Sequence, residues 1–404
     1  MSKFKIDADD LKHYADGNWQ NIIGHFMPDM ATAAASANRS KHFDCPFPER
    51  HAKSGGRKKF RFSTKNAPWN GGAICSCGSW GGGFGFLMDA MGWDFPTALA
   101  EVNDYLGDPC GAGEKSSRSE ADRAAFRKKR EQEAKERLAQ RRAEQEKADK
   151  AAAARLHRVW GESISILDPD AKPAWDYLRS RAIDIRVLER LTEVVRFHPA
   201  LTLYDDDGKC HGDHPAVLSL FQDSEDRPVS IHRIYLTQEG KKVEIGGQSA
   251  KKLMPYPSYL TTRGGAMRYG KAPKILGVAE GIETALAVTT ATKLVTWPCY
   301  NDSLLAGIDV AFLKEQGVKL LLVWEDKDVS KAGEEAGKTL QSRAWEAGIM
   351  CQRMVVPHAI PGGAKSIDWN DVLATYGQNG FPSIDIGRII EENKGKLPPA
   401  AITA

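Results

Sequence analysis

Ile275-Leu276-Gly277-Val278-Ala279-Glu280-Gly281-Ile282-Glu283-Thr284, followed further along by Leu320-Leu321-Leu322-Val323-Trp324-Glu325-Asp326-Lys327-Asp328, decides how this chain is read. The first apolar run leads through Gly281 into Thr284-Ala285-Leu286-Ala287-Val288, which predicts a buried parallel strand feeding a helix. The second run has the same character. In an open parallel sheet the carboxyl ends of the strands form the functional edge. Glu280, Asp326 and Asp328 are therefore predicted at one edge. Carboxylates gathered there repel one another unless a divalent cation lies between them, so Mg²⁺ or Mn²⁺ is the expected ion.

Lys365-Ser366-Ile367-Asp368-Trp369-Asn370-Asp371-Val372-Leu373 supplies a third element. Strand, Glu-Gly, then strand, Asp-x-Asp resembles the Toprim domain shared by bacterial-type primases, topoisomerases and some nucleases. The Asp-Trp-Asn-Asp segment resembles the one that follows this domain in primases of phages and conjugative plasmids. The resemblance implies that Asp368 and Asp371 join Glu280, Asp326 and Asp328 as catalytic residues. Between the runs, the pattern predicts a strand at 274–279, a helix at 281–291, a short strand Leu294–Thr296 and a strand at 319–324. A helix Gly333–Gly348 and a strand Met350–Val356 follow, giving a parallel sheet covered by helices.

Nearer the start, Cys45-Pro46-Phe47-Pro48-Glu49-Arg50-His51 and Cys75-Ser76-Cys77-Gly78 flank a segment able to form a hairpin. Two such knuckles suit a tetrahedral Zn²⁺ site with Cys45, Cys75 and Cys77 as ligands, His51 as leading fourth and His42 as alternative. The pair resembles the zinc-binding module of phage and plasmid primases, with two departures. Pro48 stands where that module has His, and the second knuckle is shortened to Cys-x-Cys. Between them, Lys58 to Phe62 reads as a basic aromatic strand offering cations to phosphates and Phe rings to bases.

At 404 residues the chain has room for two or three domains of ~100–200 residues each. Seven cysteines, an odd number, argue against a disulfide framework. No run of about 18 apolar residues occurs, and Met1-Ser2-Lys3-Phe4-Lys5 lacks the apolar core of a signal peptide. A soluble, cytoplasmic protein with no membrane partner is expected. The net charge is only +3, yet residues 118–158 are rich in Lys and Arg, a distribution suited to phosphates. Glu120 to Trp160 consists of good helix formers without a sustained apolar stripe. It predicts a solvated helix roughly 60 Å long at ~1.5 Å per residue.

After it, a helical stretch from Pro173 to Arg190 with a turn near Arg181, and strands at Val194–Phe197, Ala216–Phe221 and Val229–Leu236, predict a mixed α+β region. This part resembles the region preceding Toprim in plasmid and phage primases. The likeness implies that His232, Arg233, Lys251 and Lys252 meet nucleotide or template. Cys210-His211 with His214 reads as a solvated loop.

The expected fold class is multidomain α+β: a zinc ribbon module (1–110), a charged helical linker (111–160), a mixed α+β primase region (161–270), an α/β Toprim domain with a parallel sheet (271–360) and an Asp-Trp-Asn-Asp segment with tail (361–404). The implied activity is DNA primase, a nucleotidyltransferase making short primers on a single-stranded DNA template from nucleoside triphosphates. No Gly-x-x-x-x-Gly-Lys-[Ser/Thr] motif is present, so a separate replicative helicase is the expected partner. A Toprim nuclease using the same acids, and a single-strand DNA-binding protein with a decayed site, are the alternatives.

Overall fold

The computed structural model describes residues 6–36, 42–51, 59–63, 69–110 and 120–398, which fall in two units, Met1–Glu144 and Gln145–Ala404. Lys58, the tail beyond 398 and the Gly- and Ser-rich break at 111–119 lie outside the described residues.

In the first unit, helix Ala8–Ala15 starts where the Asp7 carboxylate accepts the amides of Asp9 and Asp10. Helix Trp19–Phe26 follows, and the spacing of the apolar residues in these two helices buries Leu11, Trp19, Ile22 and Ile23. Strands β1 (Arg61–Phe62), β2 (Ala73–Cys75) and β3 (Gly78–Trp80) form an antiparallel sheet in that order. Helix Gly83–Met91 packs beside it, and its first residue must be glycine. A Cβ on Gly83 would lie 2.1 Å from the Trp19 ring.

The aromatic residues of the basic strand are not available to bases. Phe60 and Phe62 are buried, in edge-to-face contact with one another at 4.9 Å, and both pack on Phe86. Exposing either ring would forfeit about 1.5–3 kcal/mol of burial, and Arg61 alone of the pair and its linker points outward.

The long helix runs Glu120–Glu162, and the boundary between the units falls within it. Its final turns are not a solvated spacer. Val159 is buried among Leu203, Leu218, Ile231 and Tyr235, on one face of the sheet that follows. That sheet is antiparallel and ordered β4 (Ile164–Ser165), β5 (Val195–Tyr204), β6 (Cys210–Gln222), β7 (Pro228–Tyr235) and β8 (Lys251–Leu253). The first two long strands extend beyond the apolar runs that predicted them. The extension of β5 passes Pro199 through a register shift between His198 and Leu201, because proline cannot donate to a ladder.

The parallel sheet is ordered β10 (Thr296–Pro298), β9 (Ile275–Ala279), β11 (Leu320–Glu325) and β13 (Met350–Val355). Helices Ile282–Thr292 and Ala332–Glu346 occupy the predicted crossovers within a residue or two. β10 lies later than the expected Leu294–Thr296. Lys293 adopts φ +63° and turns the chain, so pairing begins only at Thr296, and Pro298 is tolerated because the strand is at the edge. A separate antiparallel ribbon joins β12 (Lys327–Asp328) to β14 (Ser366–Ile367).

The mixed region and the parallel sheet share one hydrophobic core. Tyr177, Leu178 and Phe197 cluster with Leu276, Val278 and Leu321. The predicted boundary at 270 therefore divides the sequence but not the packing.

Candidate functional site

The four residues predicted as zinc ligands come together. Sγ of Cys45, Cys75 and Cys77 and a ring nitrogen of His51 all lie within 4.8 Å of one another. Cys45 and Cys77 are 3.6 Å apart, and His51 Nε2 is 3.4 Å from Cys75 Sγ. Zn–S bonds of about 2.3 Å and Zn–N bonds of about 2.0 Å set tetrahedral edges of roughly 3.5–3.8 Å, so these atoms fit that ion. Pro48 opens the short turn Pro48–Arg50 that delivers His51 in place of the expected knuckle histidine. Arg50 pins the knuckle through two bonds to Asp89, at 2.7 and 2.8 Å, and Asp89 also accepts Trp80 Nε1–H at 2.8 Å. His42 is exposed and outside the group. Burial pushes the Cys45 thiol up to about 12, so a bound cation is what would favour its thiolate.

In the second unit, Glu280 follows β9 and Asp326 follows β11, at the carboxyl edge of the parallel sheet. Both line a cavity of about 340 Å³ together with Asp368, His232 and Lys251. Asp326 is held well above the ordinary carboxylate range by burial, then by repulsion from Asp368 and Glu280, against a 3.2 Å bond from the Thr284 hydroxyl. Burial first and Asp302 next raise Glu280. Asp368 is raised by burial, although the Asp371 amide opposes it. Three carboxylates whose ionisation is resisted at one cavity, despite Lys251 beside them, mark an excess of negative charge, which suits a hard divalent cation. Their oxygens do not form a set as tight as the cysteine and histidine group among the described residues. Mg²⁺ commonly uses one or two carboxylates and keeps several waters.

Asp328 and Asp371 lie beside that cavity rather than on its wall, and the Asp328 charge still helps to raise Glu280. Asp328 does not line that cavity. Its carboxylate accepts the Ser330 hydroxyl and the Gly333 amide, the latter at 3.3 Å. Asp371 forms a capping box with Asp368 at the start of helix Trp369–Tyr376, the two exchanging backbone bonds of 3.1 and 2.8 Å. The sequence Asp-Trp-Asn-Asp thus divides its labour. Asp368 faces the cavity and caps, Trp369 is buried in edge contact with Trp324 at 4.9 Å, and Asp371 caps.

Glu325, one residue before Asp326, points to the opposite face, as strand alternation requires. It is buried and paired with Arg353, with Nη2 2.8 Å from Oε2, in a slot that a Cβ on Gly337 would fill.

The four predicted cations separate by the same alternation. Lys251 turns to the acidic cavity, whereas Lys252 reaches Asp206 at 2.5 Å. Arg233 donates to Tyr235 Oη at 2.9 Å and to the Leu253 carbonyl at 3.2 Å. His232 is buried, its ring 5.3 Å from that of Tyr300, and burial pushes its imidazole down to about 3, so it is neutral. An adjoining cavity of about 450 Å³ shares Ser249, Lys251 and Tyr300 with the first and adds Arg155, Arg233 and Lys252 together with Asp205 and Asp206. Carboxylates predominate in the first space, and in the second four cations outnumber Asp205 and Asp206, with Lys251 lining both.

Several residues here escaped the sequence reading. Glu283 is buried, with Tyr177 Oη 2.6 Å, Lys242 Nζ 2.7 Å and Lys251 Nζ 2.9 Å from its oxygens. Burial alone would raise its carboxyl, but Lys251, Lys242 and Tyr177 hold it well below the ordinary range. The overlooked signal was a charge in the otherwise apolar start of helix Ile282–Thr292, since a buried carboxylate demands partners. Arg155 gave no local signal among its many basic neighbours. His211 pairs with Asp205 at 2.9 Å, and among the described residues Cys210, His211 and His214 form no metal-sized group.

Residues 275–379 match the Toprim domain family. This part of the chain is a Toprim domain. The match runs through Asp368 and Asp371, beyond the boundary expected at 360. Residues 150–268 match a domain of unknown function (DUF7146), which begins inside the long helix and ends just before the Toprim domain. No curated protein matched the chain. Among solved structures, it is similar to a DnaG primase catalytic domain bound to ssDNA, at 15% identity and TM-score 0.41, over 62% of this chain and 82% of that one. The Aquifex aeolicus primase zinc-binding and RNA polymerase domains give 14% identity and TM-score 0.38, over 97% and 86%. The RNA polymerase domain of Mycobacterium tuberculosis primase DnaG gives 15% and 0.36, over 59% and 81%. No helix among the described residues is long and apolar enough to cross a membrane.

Proposed function

We propose that this protein is a DNA primase of the Toprim class, joining nucleotides into short primers on single-stranded DNA. The observation that carries the reading is Lys251, a cation shared by a cavity rich in carboxylates and one in which cations outnumber the two carboxylates Asp205 and Asp206. A nucleotidyl transfer brings a polyanionic triphosphate beside a metal-dependent acidic centre, and needs both kinds of lining at once. A nuclease acting on a phosphodiester with water has no such need for the second cavity.

Glu280 and Asp326, with Asp368 nearby, would hold Mg²⁺ or Mn²⁺, which supplies activation of a 3′ hydroxyl and neutralisation of the leaving pyrophosphate. Arg155, Arg233, Lys251 and Lys252 bind and orient the triphosphate and neighbouring template phosphates. Neutral His232 donates or accepts a hydrogen bond without adding charge. Asp328 orders the turn that leads into helix Ala332–Glu346, and Asp371 orders the helix that presents Asp368. Cys45, His51, Cys75 and Cys77 would hold Zn²⁺ in a template-binding module. The Asp-Trp-Asn-Asp segment favours a mobile-element setting, with a separate helicase as partner.

Incubation with single-stranded DNA, Mg²⁺ and labelled nucleoside triphosphates tests this directly. Short labelled oligomers that disappear with Asp326→Ala are expected. Shortened template without oligomers would replace the primase with a nuclease, and neither product would overturn catalysis by this chain.

A further inference from the structure

Glu283 is the most enclosed carboxylate beside these cavities, with its side chain 3% exposed. Its three partners come from separate parts of the second unit. Tyr177 lies on helix Lys172–Ser180, Lys242 on the segment after β7, and Lys251 on β8. The Toprim helix thus clasps the preceding region by one side chain.

A pair serving packing alone would be matched in charge and closed off, because surplus buried charge is costly. Here one carboxylate faces two ammonium groups, and Tyr177, whose hydroxyl burial keeps protonated, donates without adding charge. The second ammonium is not spent on Glu283, and Lys251 also faces Asp368, Glu280 and Asp326 across the acidic cavity. Both lysine side chains are about a third exposed, at 35% and 36%. Lys251 lines both the acidic and the cationic cavity, and it also borders a third space of about 500 Å³ with Lys242 and the Val243–Ala250 loop. A lysine free in solution would spread its ammonium over many rotamers. Held at 2.9 Å by a buried carboxylate, it presents its charge at one place.

We propose that Glu283 is a positioning residue for triphosphate binding, fixing Lys251 at the junction of the two cavities. The inference rests on the nucleotide-binding part of the proposed function and refines it.

The test is equilibrium binding of a fluorescent nucleoside triphosphate to the full chain, which requires no synthesis. Glu283→Gln keeps the volume and an acceptor for Tyr177 but releases the lysines. Roughly tenfold weaker binding is expected from it, with a similar loss from Lys251→Met and no further loss in the double variant. In primer synthesis the same variants should raise KM for nucleotide more than they lower kcat. Wild-type affinity in Glu283→Gln with only a lower melting temperature would overturn the inference, as would losses that multiply in the double variant. Wild-type protein that binds no triphosphate would also overturn it. Binding that follows the expected pattern without any oligomer synthesis would remove the primase reading and leave this one standing.

Discussion

The side-chain amide of Asn370 donates to the backbone carbonyl of Arg181 at 2.7 Å, and Asn370 is 1% exposed. One buried bond therefore ties the Asp368–Asp371 segment to the loop after helix Lys172–Ser180. Asn370→Ala should leave that carbonyl unsatisfied and cost about 1–3 kcal/mol. Thermal unfolding should register it as a drop of several degrees, and an unchanged midpoint would mean the bond is replaced by solvent.

The zinc geometry predicts one metal ion per chain by elemental analysis. Cys75→Ser should lose it, because Cys75 touches His51 and shares the group with two further thiols. Cys110→Ser is the control, since Cys110 lies outside the group. Equal metal content in the two variants would refute the assignment.

Asp326 is a buried acid raised by Asp368 and Glu280, so its ionised form destabilises the metal-free fold. The folded group binds its proton more tightly than the unfolded one. Stability linked to it is present below the ordinary Asp value near 3.8 and is lost as pH rises toward the raised folded value. Asp326→Asn should melt higher than wild type at neutral pH without metal, whereas Mg²⁺ should raise the wild-type midpoint and leave the variant unmoved. A Mg²⁺ response retained in Asp326→Asn would shift the ion to other ligands.

His232 has the opposite sign. Its imidazole is buried and depressed from 6.5 to about 3. Between those values the unfolded chain binds a proton that the folded one refuses, so stability falls as pH drops through that interval and is unaffected above it. His232→Gln should therefore lose less stability than wild type between pH 7 and pH 4 in urea titrations. Parallel losses would assign the acid sensitivity elsewhere.

The strand and acid runs were legible because a buried parallel strand is written locally. β9 and β11 are continuous apolar stretches, and the residue that follows each falls at the functional edge by topology alone. The cysteine and histidine knuckles were legible for a similar reason, since ligand types at short spacing have few other uses. The Toprim domain and the four-ligand group follow from such local signals.

Side-chain direction and burial were settled only in three dimensions. Asp368 faces the cavity while Asp371 caps a helix, and nothing in Asp-Trp-Asn-Asp distinguishes them until the capping box forms. Phe60 and Phe62 look like base-stacking residues in a basic stretch, yet Phe86 and Trp80 from the neighbouring elements close over them. Glu283 meets Tyr177 across 106 positions of sequence. Sequence periodicity reports which face of an element is apolar, but the partner of a buried charge is chosen by whichever distant element packs against it, and that choice exists only in the folded chain.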